Sequence, residues 1–359
     1  MQNVIVIGGG VAGMEAASFL AAKGYTVDLV EKNSSTGGRV ANWDRLFPTM
    51  RRGSEVIDFL SQGVSNNGVT VHLNSELLQV ERNGKRFCAK VSGAKHLEGD
   101  ALLLATGYDL FDARKKEEYG YGIYHDVITS AGLEEMFLAE RPLLTFAGKI
   151  PARIGFVHCV GSRDEKAGYT YCSKVCCVTG VKQAIEVKEQ LPDAEIFNFY
   201  MDLRMYGMHF EALYKKAQEE YNVQFVRGRL SEAAENIQGS ITLKVEDTLA
   251  GRPMKISVDI LVLLVGCIPS EGTVKAAHML GMTLGVNGFF RTRDQHTMTN
   301  YSEIPGVFFA GTCTGPNTIT NAITDARAAA TAIDIYLSDN KLATRKMKSD
   351  EEFWLYPPQ

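Results

Sequence analysis

Several things are scarce in these 359 residues, and each shortage excludes something. There are only two tryptophans, ten prolines and seven histidines. No low-complexity segment or internal repeat is present, which excludes a solenoid or a disordered tail-like protein. Neither sign of charge dominates: 42 acidic and 38 basic residues leave a net charge of −4. Without a block of Lys or Arg there is no electrostatic footprint for nucleic acid or an anionic membrane surface. Long apolar runs are missing as well. The longest extends from Ile260 to Ile268, far short of the ~20 residues a membrane span needs. The apolar N-terminus has no basic leader and is interrupted by Glu15, so it does not read as a signal peptide. A soluble, cytoplasmic chain is expected, with no nucleic-acid partner and no direct membrane insertion.

Two further absences bear on chemistry. The redox dithiol spacing C-x-x-C does not occur. There is also no second glycine-rich phosphate loop, although the pattern of strands and helices provides a place for one. The seven cysteines form an odd set, which argues against a disulfide framework in a chain with no export signal.

What is present begins at the N-terminus. Asn3–Ile7 reads as a strand, Gly8-x-Gly10-x-x-Gly13 follows, and a helix runs over Met14–Lys23. A second strand, Thr26–Val30, ends at Glu31. In this context the motif is a dinucleotide-binding fingerprint. Gly8 permits a tight turn, Gly10 lets the backbone approach a pyrophosphate, and Gly13 lets helix and strand pack closely. The helix N-terminus offers N–H groups and a positive dipole end to phosphates. Glu31 is placed to accept from ribose hydroxyls.

Further along, Val69–Leu73, Ala101–Ala105, Ile154–Cys159, Glu195–Tyr200, Val223–Arg227, Ile260–Val265 and Val307–Ala310 read as strands. Ile241–Val245 and Lys255–Val258 read as an antiparallel pair. Helices are expected over Val181–Gln190, His209–Tyr221 and about Thr320–Tyr336. Gly37-Gly38-Arg39, Ala105-Thr106-Gly107 and Gly306–Gly311 resemble segments of two-dinucleotide-domain flavoproteins that wrap FAD. The fold class is therefore α/β: a two-dinucleotide-binding-domain flavoprotein with two Rossmann-type parallel sheets in three-layer packing. An FAD domain is expected over 1–144 and 266–340, an inserted unit over 145–265 and a tail over 341–359. Expected FAD contacts are Gly8, Gly10, Val11, Ala12, Gly13, Glu31, Lys32, Gly38 and Arg39. Ala105, Thr106, Gly107, Gly311, Thr312 and Thr320 complete the set.

The strand Ile154–Cys159 should enter a phosphate loop in an NAD(P)H-binding domain. It enters Val160-Gly161-Ser162-Arg163-Asp164 instead, and then cysteines. Cys159, Cys172, Cys176 and Cys177 crowd one segment. Thiols near a helix start are acidified, which favours ligation. Four thiolates suit a [4Fe–4S] cluster or zinc, and free or redox thiols are the third option. The adjacent pair fits paired zinc hairpins poorly. Cys88, Cys267 and Cys313 read as buried apolar-type residues.

Long segments then become recognisable. Phe156–Asp164 with Tyr171–Cys177, Tyr119–Gly122, Tyr200–Arg204 and Ala310–Pro316 together resemble the A-type component of heterodisulfide reductase. The resemblance implies FAD in a thioredoxin-reductase-like fold and, near the flavin, one [4Fe–4S] cluster held by Cys159, Cys172, Cys176 and Cys177. It also implies that Lys182 lies close to the isoalloxazine and acts on it, against the plain alternative of a solvated helix residue. Partners implied are a second copy, as a homodimer, and B- and C-type subunits of the complex. The chain departs from the longer methanogen-type members: their ferredoxin-like domains are absent here, and Phe47–Arg52 lacks their cysteines. The compact form most resembles the corresponding component of heterodisulfide reductase-like complexes in sulfur oxidisers, with its sulfate-reduction relative as competitor. The expected function is electron transfer between flavin, cluster and partner subunits. A stand-alone NAD(P)H-dependent flavin reductase and a zinc-bearing FAD scaffold are the alternatives. In the tail, Phe353-Trp354-Leu355-Tyr356 is a candidate docking segment.

Overall fold

The computed structural model describes residues 2–93 and 95–338. The tail over 341–359, with its expected docking segment, lies outside the described residues.

Two parallel five-stranded sheets organise the molecule. The first runs in the order Val307–Phe309, Ala101–Leu104, Asn3–Ile7, Thr26–Val30, Thr70–His72. Its strands alternate as a buried sheet must, with successive side chains on opposite faces. Val4 and Val6 face the helices Val11–Ala22 and Ile319–Leu337, packing with Met14, Leu20 and Ala326. Ile5 and Ile7 face the other way, against Val80, Phe87 and Ala89 of an antiparallel meander over Leu77–Gly99. The helix Ile319–Leu337 is rich in alanine because it packs closely on Val11–Ala22; Ala326, Ala329 and Ala330 are fully buried there. It starts at Thr318, whose hydroxyl accepts from Asn321 N–H, the usual way to satisfy an orphaned donor.

The second sheet repeats the design in the order Val127–Thr129, Ile260–Val265, Arg153–Val160, Glu195–Tyr200, Gln224–Arg227. Ile154, Phe156, Val262 and Leu264 face the helix Cys176–Gln190. Leu261, Leu263 and Phe199 face a second antiparallel meander, Leu230–Glu235, Ile241–Asp247 and Arg252–Val258. Each half is thus helix layer, parallel sheet, antiparallel meander.

The crossing between halves differs from the expected boundary. Val127–Thr129 pairs in parallel with Ile260–Val265 of the second sheet, and Leu133 and Phe137 of the helix Ser130–Leu138 bury in the second core. The chain has therefore entered the second half before residue 127, not near 145. A two-stranded link, Tyr108–Leu110 against Cys267–Pro269, carries the chain between halves in both directions. Among the described residues no helix is long and apolar enough to cross a membrane.

Candidate active site between the two sheets

A cleft of about 440 Å³ lies where the two halves meet. Gly8 and Gly10 of the N-terminal motif line one wall, and Gly13, expected as a contact, packs behind it. Gly8 has φ +109, and a Cβ there would meet the Ala105 carbonyl oxygen at 2.3 Å. A Cβ on Gly13 would sit 1.8 Å from the Gly8 oxygen. These two glycines are fixed by packing. Gly10 is not: its φ is −73, and the nearest atom to an added Cβ is Gly38 Cα at 3.9 Å. What a side chain at Gly10 would fill is the cleft. Gly10 is also the N-cap of Val11–Ala22 with no side-chain cap, so the first-turn N–H groups of this helix remain for a ligand.

Glu31 is buried at the strand end. It accepts from Gly9 N–H at 2.7 Å and from the backbone and side-chain N–H of Asn33 at 2.8 and 2.7 Å. This fixes the carboxylate while leaving lone pairs for hydroxyl donors. Arg39 is held across the cleft mouth by Asp109 at 2.9 Å. Val11, Ala12, Lys32, Gly38, Ala105, Thr106, Gly107 and Thr312 also line the space. Gly311 supports it from behind, donating to the Asp325 carboxylate at 2.7 Å. Thr320 is different: it is exposed on the first turn of its helix, and Thr318, Ile319 and Ala322 line the cleft in its place. With 3.6 residues per turn, 318, 319 and 322 share one face and 320 points away.

The cysteine segment forms the opposite wall. Cys176 and Cys177 are the first two residues of the helix Cys176–Gln190, and Cys176 lines the cleft. Cys159 sits at the strand end with φ +60, a left-handed conformation that is costly with a side chain. Arg163 and Lys174 share it, at φ +55 and +60. The loop between them is tied down at several points. Ser173 N–H donates to Ser162 Oγ at 3.0 Å, and Tyr171 OH donates to the Cys267 carbonyl at 2.9 Å. The buried Lys116 ammonium holds Asp164 and Glu118, each at 2.7 Å. Cys172 faces outward into a shallow groove with Lys174, Arg204 and Tyr206.

The thiols lie within electrostatic reach of one another. Burial pushes Cys159 up to about 12, and Cys177 and Cys172 add to the shift. Cys176 is raised well above its ordinary value by burial first, and then by Cys159, Cys267, Cys177 and Cys172. A site that so disfavours thiolates holds them only if a cation neutralises them. The donor chemistry fits a thiolate-bound metal group. Among the described residues, however, no group of three or more His, Cys, Asp or Glu side chains is arranged to hold a metal ion.

Lys182 is not a solvated helix residue: it is 2% exposed and lines the cleft. Its ammonium contacts Glu134 Oε1 at 2.5 Å and Glu186 Oε2 at 2.7 Å. Neither glutamate stood out in the sequence. Nor did Cys267, which lines the cleft close to Cys176 although 90 residues separate them in the chain.

A profile of the pyridine nucleotide-disulphide oxidoreductase family matches residues 2–133 and 177–326. The chain belongs to that family. The unmatched stretch between them holds the strand and cysteine loop, where this chain departs from the common pattern. The A-type component of the H2:CoB-CoM heterodisulfide,ferredoxin reductase of Methanothermobacter thermautotrophicus is 30% identical over 92% of this chain and 63% of its own length. The iron-sulfur A-type component of CoB–CoM heterodisulfide reductase of Methanocaldococcus jannaschii is 30% identical over 97% and 66%. The chain thus spans just under two thirds of the length of these relatives. Among solved structures, thioredoxin reductase of Lactococcus lactis superposes with a TM-score of 0.67 at 18% identity, covering 94% of this chain and all of that one. This likeness establishes the thioredoxin-reductase-like fold.

Proposed function

We propose that this chain is an electron-transfer component of a heterodisulfide reductase-like complex, holding FAD in the cleft and one [4Fe–4S] cluster on Cys159, Cys172, Cys176 and Cys177. The observation that carries the reading is the position of Cys176: the cysteine segment reaches the wall of the glycine-built cleft at this residue. The bound groups would supply paired-electron and single-electron chemistry, respectively. The residues do the rest. Gly10 and the first turn of Val11–Ala22 bind the pyrophosphate, and Glu31 orients a ribose. Arg39, clamped by Asp109, narrows the mouth. Lys182 places a positive charge in the cleft wall. Cys176, on the cleft wall, and Cys172, on the outward groove, would be among the residues that hold the cluster, which would supply single-electron transfer there.

The reading extends to a role in sulfur-compound oxidation, or in the related sulfate-reduction complexes, with B- and C-type subunits as partners and a homodimer as the unit that docks them. The test is anaerobic purification with flavin, iron and acid-labile sulfide counted per chain, followed by EPR after reduction. One flavin and four irons are expected. Zinc without iron would sink the cluster, and rapid bleaching of the isolated chain by NAD(P)H would replace this reading with a flavin reductase.

A further inference from the structure

The ionic group behind the cleft wall is unbalanced. Glu134, Lys182 and Glu186 are each at most 3% exposed. Two carboxyl groups flank one ammonium, so full ionisation would leave an uncompensated negative charge away from water. Because one Nζ contacts both, the two carboxyl groups lie within about 5 Å of each other, close enough for like charges to resist joint ionisation.

The hydrogen bonds show which carboxyl is charged. Glu134 receives three kinds of donor: Lys182 Nζ, Gln183 Nε2 at 2.7 Å on the same oxygen, and Asp44 N–H at 3.0 Å on the other. Such a set stabilises a carboxylate. Glu186 has none of this. Lys182 approaches one of its oxygens to 2.7 Å, but off the hydrogen-bonding direction, and among the described residues neither oxygen has a well-aligned partner. Among the described residues no second cation pairs with Glu186, although Arg45 lies within electrostatic reach of it. Asp44 is occupied by Arg52. Arg45 pairs with Glu189 at 2.6 Å, one turn along the helix, and Tyr221 closes that end at 3.3 Å from Glu189.

We propose that Glu134, Lys182 and Glu186 form a proton-exchanging group for the flavin cleft, with Glu186 carrying the spare proton and Lys182 presenting it. The inference rests on the reading that the cleft holds flavin. The transfer is a proton relay only. As an electron supplied by a one-electron donor adds negative charge in the cleft, Lys182 Nζ gives up one proton to it. Glu186 then gives its carboxyl proton to Nζ. The group passes from neutral to a single negative charge, and a proton from solvent later restores it. Glu186 does not line the cleft; it acts through Lys182, as a positioning residue. Burial supports the assignment by pushing Glu186 up to about 8, against the Lys182 ammonium and with help from Glu134.

The experiment uses full-length native protein, E186Q and E134Q. Flavin content by absorbance is read first and tests only the proposed function. Infrared difference spectra in H2O and D2O then test the proton, with or without flavin present. At pH 7 the native chain should show an isotope-sensitive carboxylic-acid carbonyl band that E186Q lacks. E134Q should also lose it, because Glu186 then becomes the one counter-ion of Lys182 and ionises. In flavin-loaded protein the band should weaken on reduction. The pH dependence of the flavin potential should bend near pH 8 in the native chain and run straight in E186Q. A band that survives in E186Q, or native and E186Q potentials with the same pH profile, would overturn the proposal. If E134Q does not fold, E186Q alone decides.

Discussion

At the scale of single residues, the glycine motif separates into two kinds of glycine that look identical in the sequence. Gly13 has no room for a Cβ, with the Gly8 oxygen 1.8 Å from where it would sit, whereas Gly10 has open space. Gly13→Ala should therefore cost roughly 1–3 kcal/mol or more in urea denaturation, as overpacking does. With flavin removed from both, Gly10→Ala should melt close to the native chain, yet it should weaken FAD binding at least tenfold by fluorescence titration, since its methyl enters ligand space alone. A Gly10→Ala protein that unfolds early, or keeps its flavin affinity, would contradict the cradle. Among the cysteines, Ser at 159, 172, 176 or 177 should lower iron per chain while flavin stays bound. Ser at Cys88 should change neither, because that thiol lies in the meander strand Arg86–Val91, remote from the cleft.

At the scale of elements, the loop that follows the strand Arg153–Val160 is held by a buried ion cluster as well as by the packing of Tyr169 and Tyr171. Lys116→Met would leave Asp164, at 5% exposure, with the more distant Arg229 at 3.8 Å in place of a cation at 2.7 Å. Removing one partner of such a pair costs about 3–5 kcal/mol. The expected result is a lower urea midpoint together with faster iron loss to a chelator; unchanged iron retention would show that the loop does not need this tie. Elements differ in how far the sequence reveals them. The opening βαβ unit was legible because glycine spacing, strand pattern and Glu31 all fall within 31 residues. Val127–Thr129 was not: it is three residues long, and its partner Ile260–Val265 lies more than 130 residues away. Thr320 failed for a smaller reason. The helix start was placed well, but its rotational phase is set by tertiary packing. Glu134 and Glu186 look like surface residues of amphipathic helices, but the two helices meet through Lys182, and the segment around Asp44 covers Glu134.

At the scale of the whole molecule, stability should carry the mark of the buried carboxyl. Glu186 is held at about 8 in the folded chain against 4.5 when unfolded. The folded protein then binds more protons than the unfolded one between those values, so its stability falls as pH rises through them. One proton sets a ceiling of about 1.4 kcal/mol per pH unit on this slope. Urea midpoints from pH 6.5 to 8.5 should fall more steeply in the native chain than in E186Q, the buried thiols contributing the same slope to both. Parallel lines would show that Glu186 ionises normally. The same scale holds the question of assembly: light scattering at micromolar concentration should return twice the mass of one chain, and a monomer would remove the homodimer from the proposed complex.

Cys159 adopts a backbone conformation that glycine would hold with less strain. That sets two selection pressures against each other. A library randomised at this codon and screened for heat resistance alone should drift toward glycine. The same library screened for bound iron should return cysteine. The position would thus report which property a lineage had been selected for, by a single letter at the end of one strand.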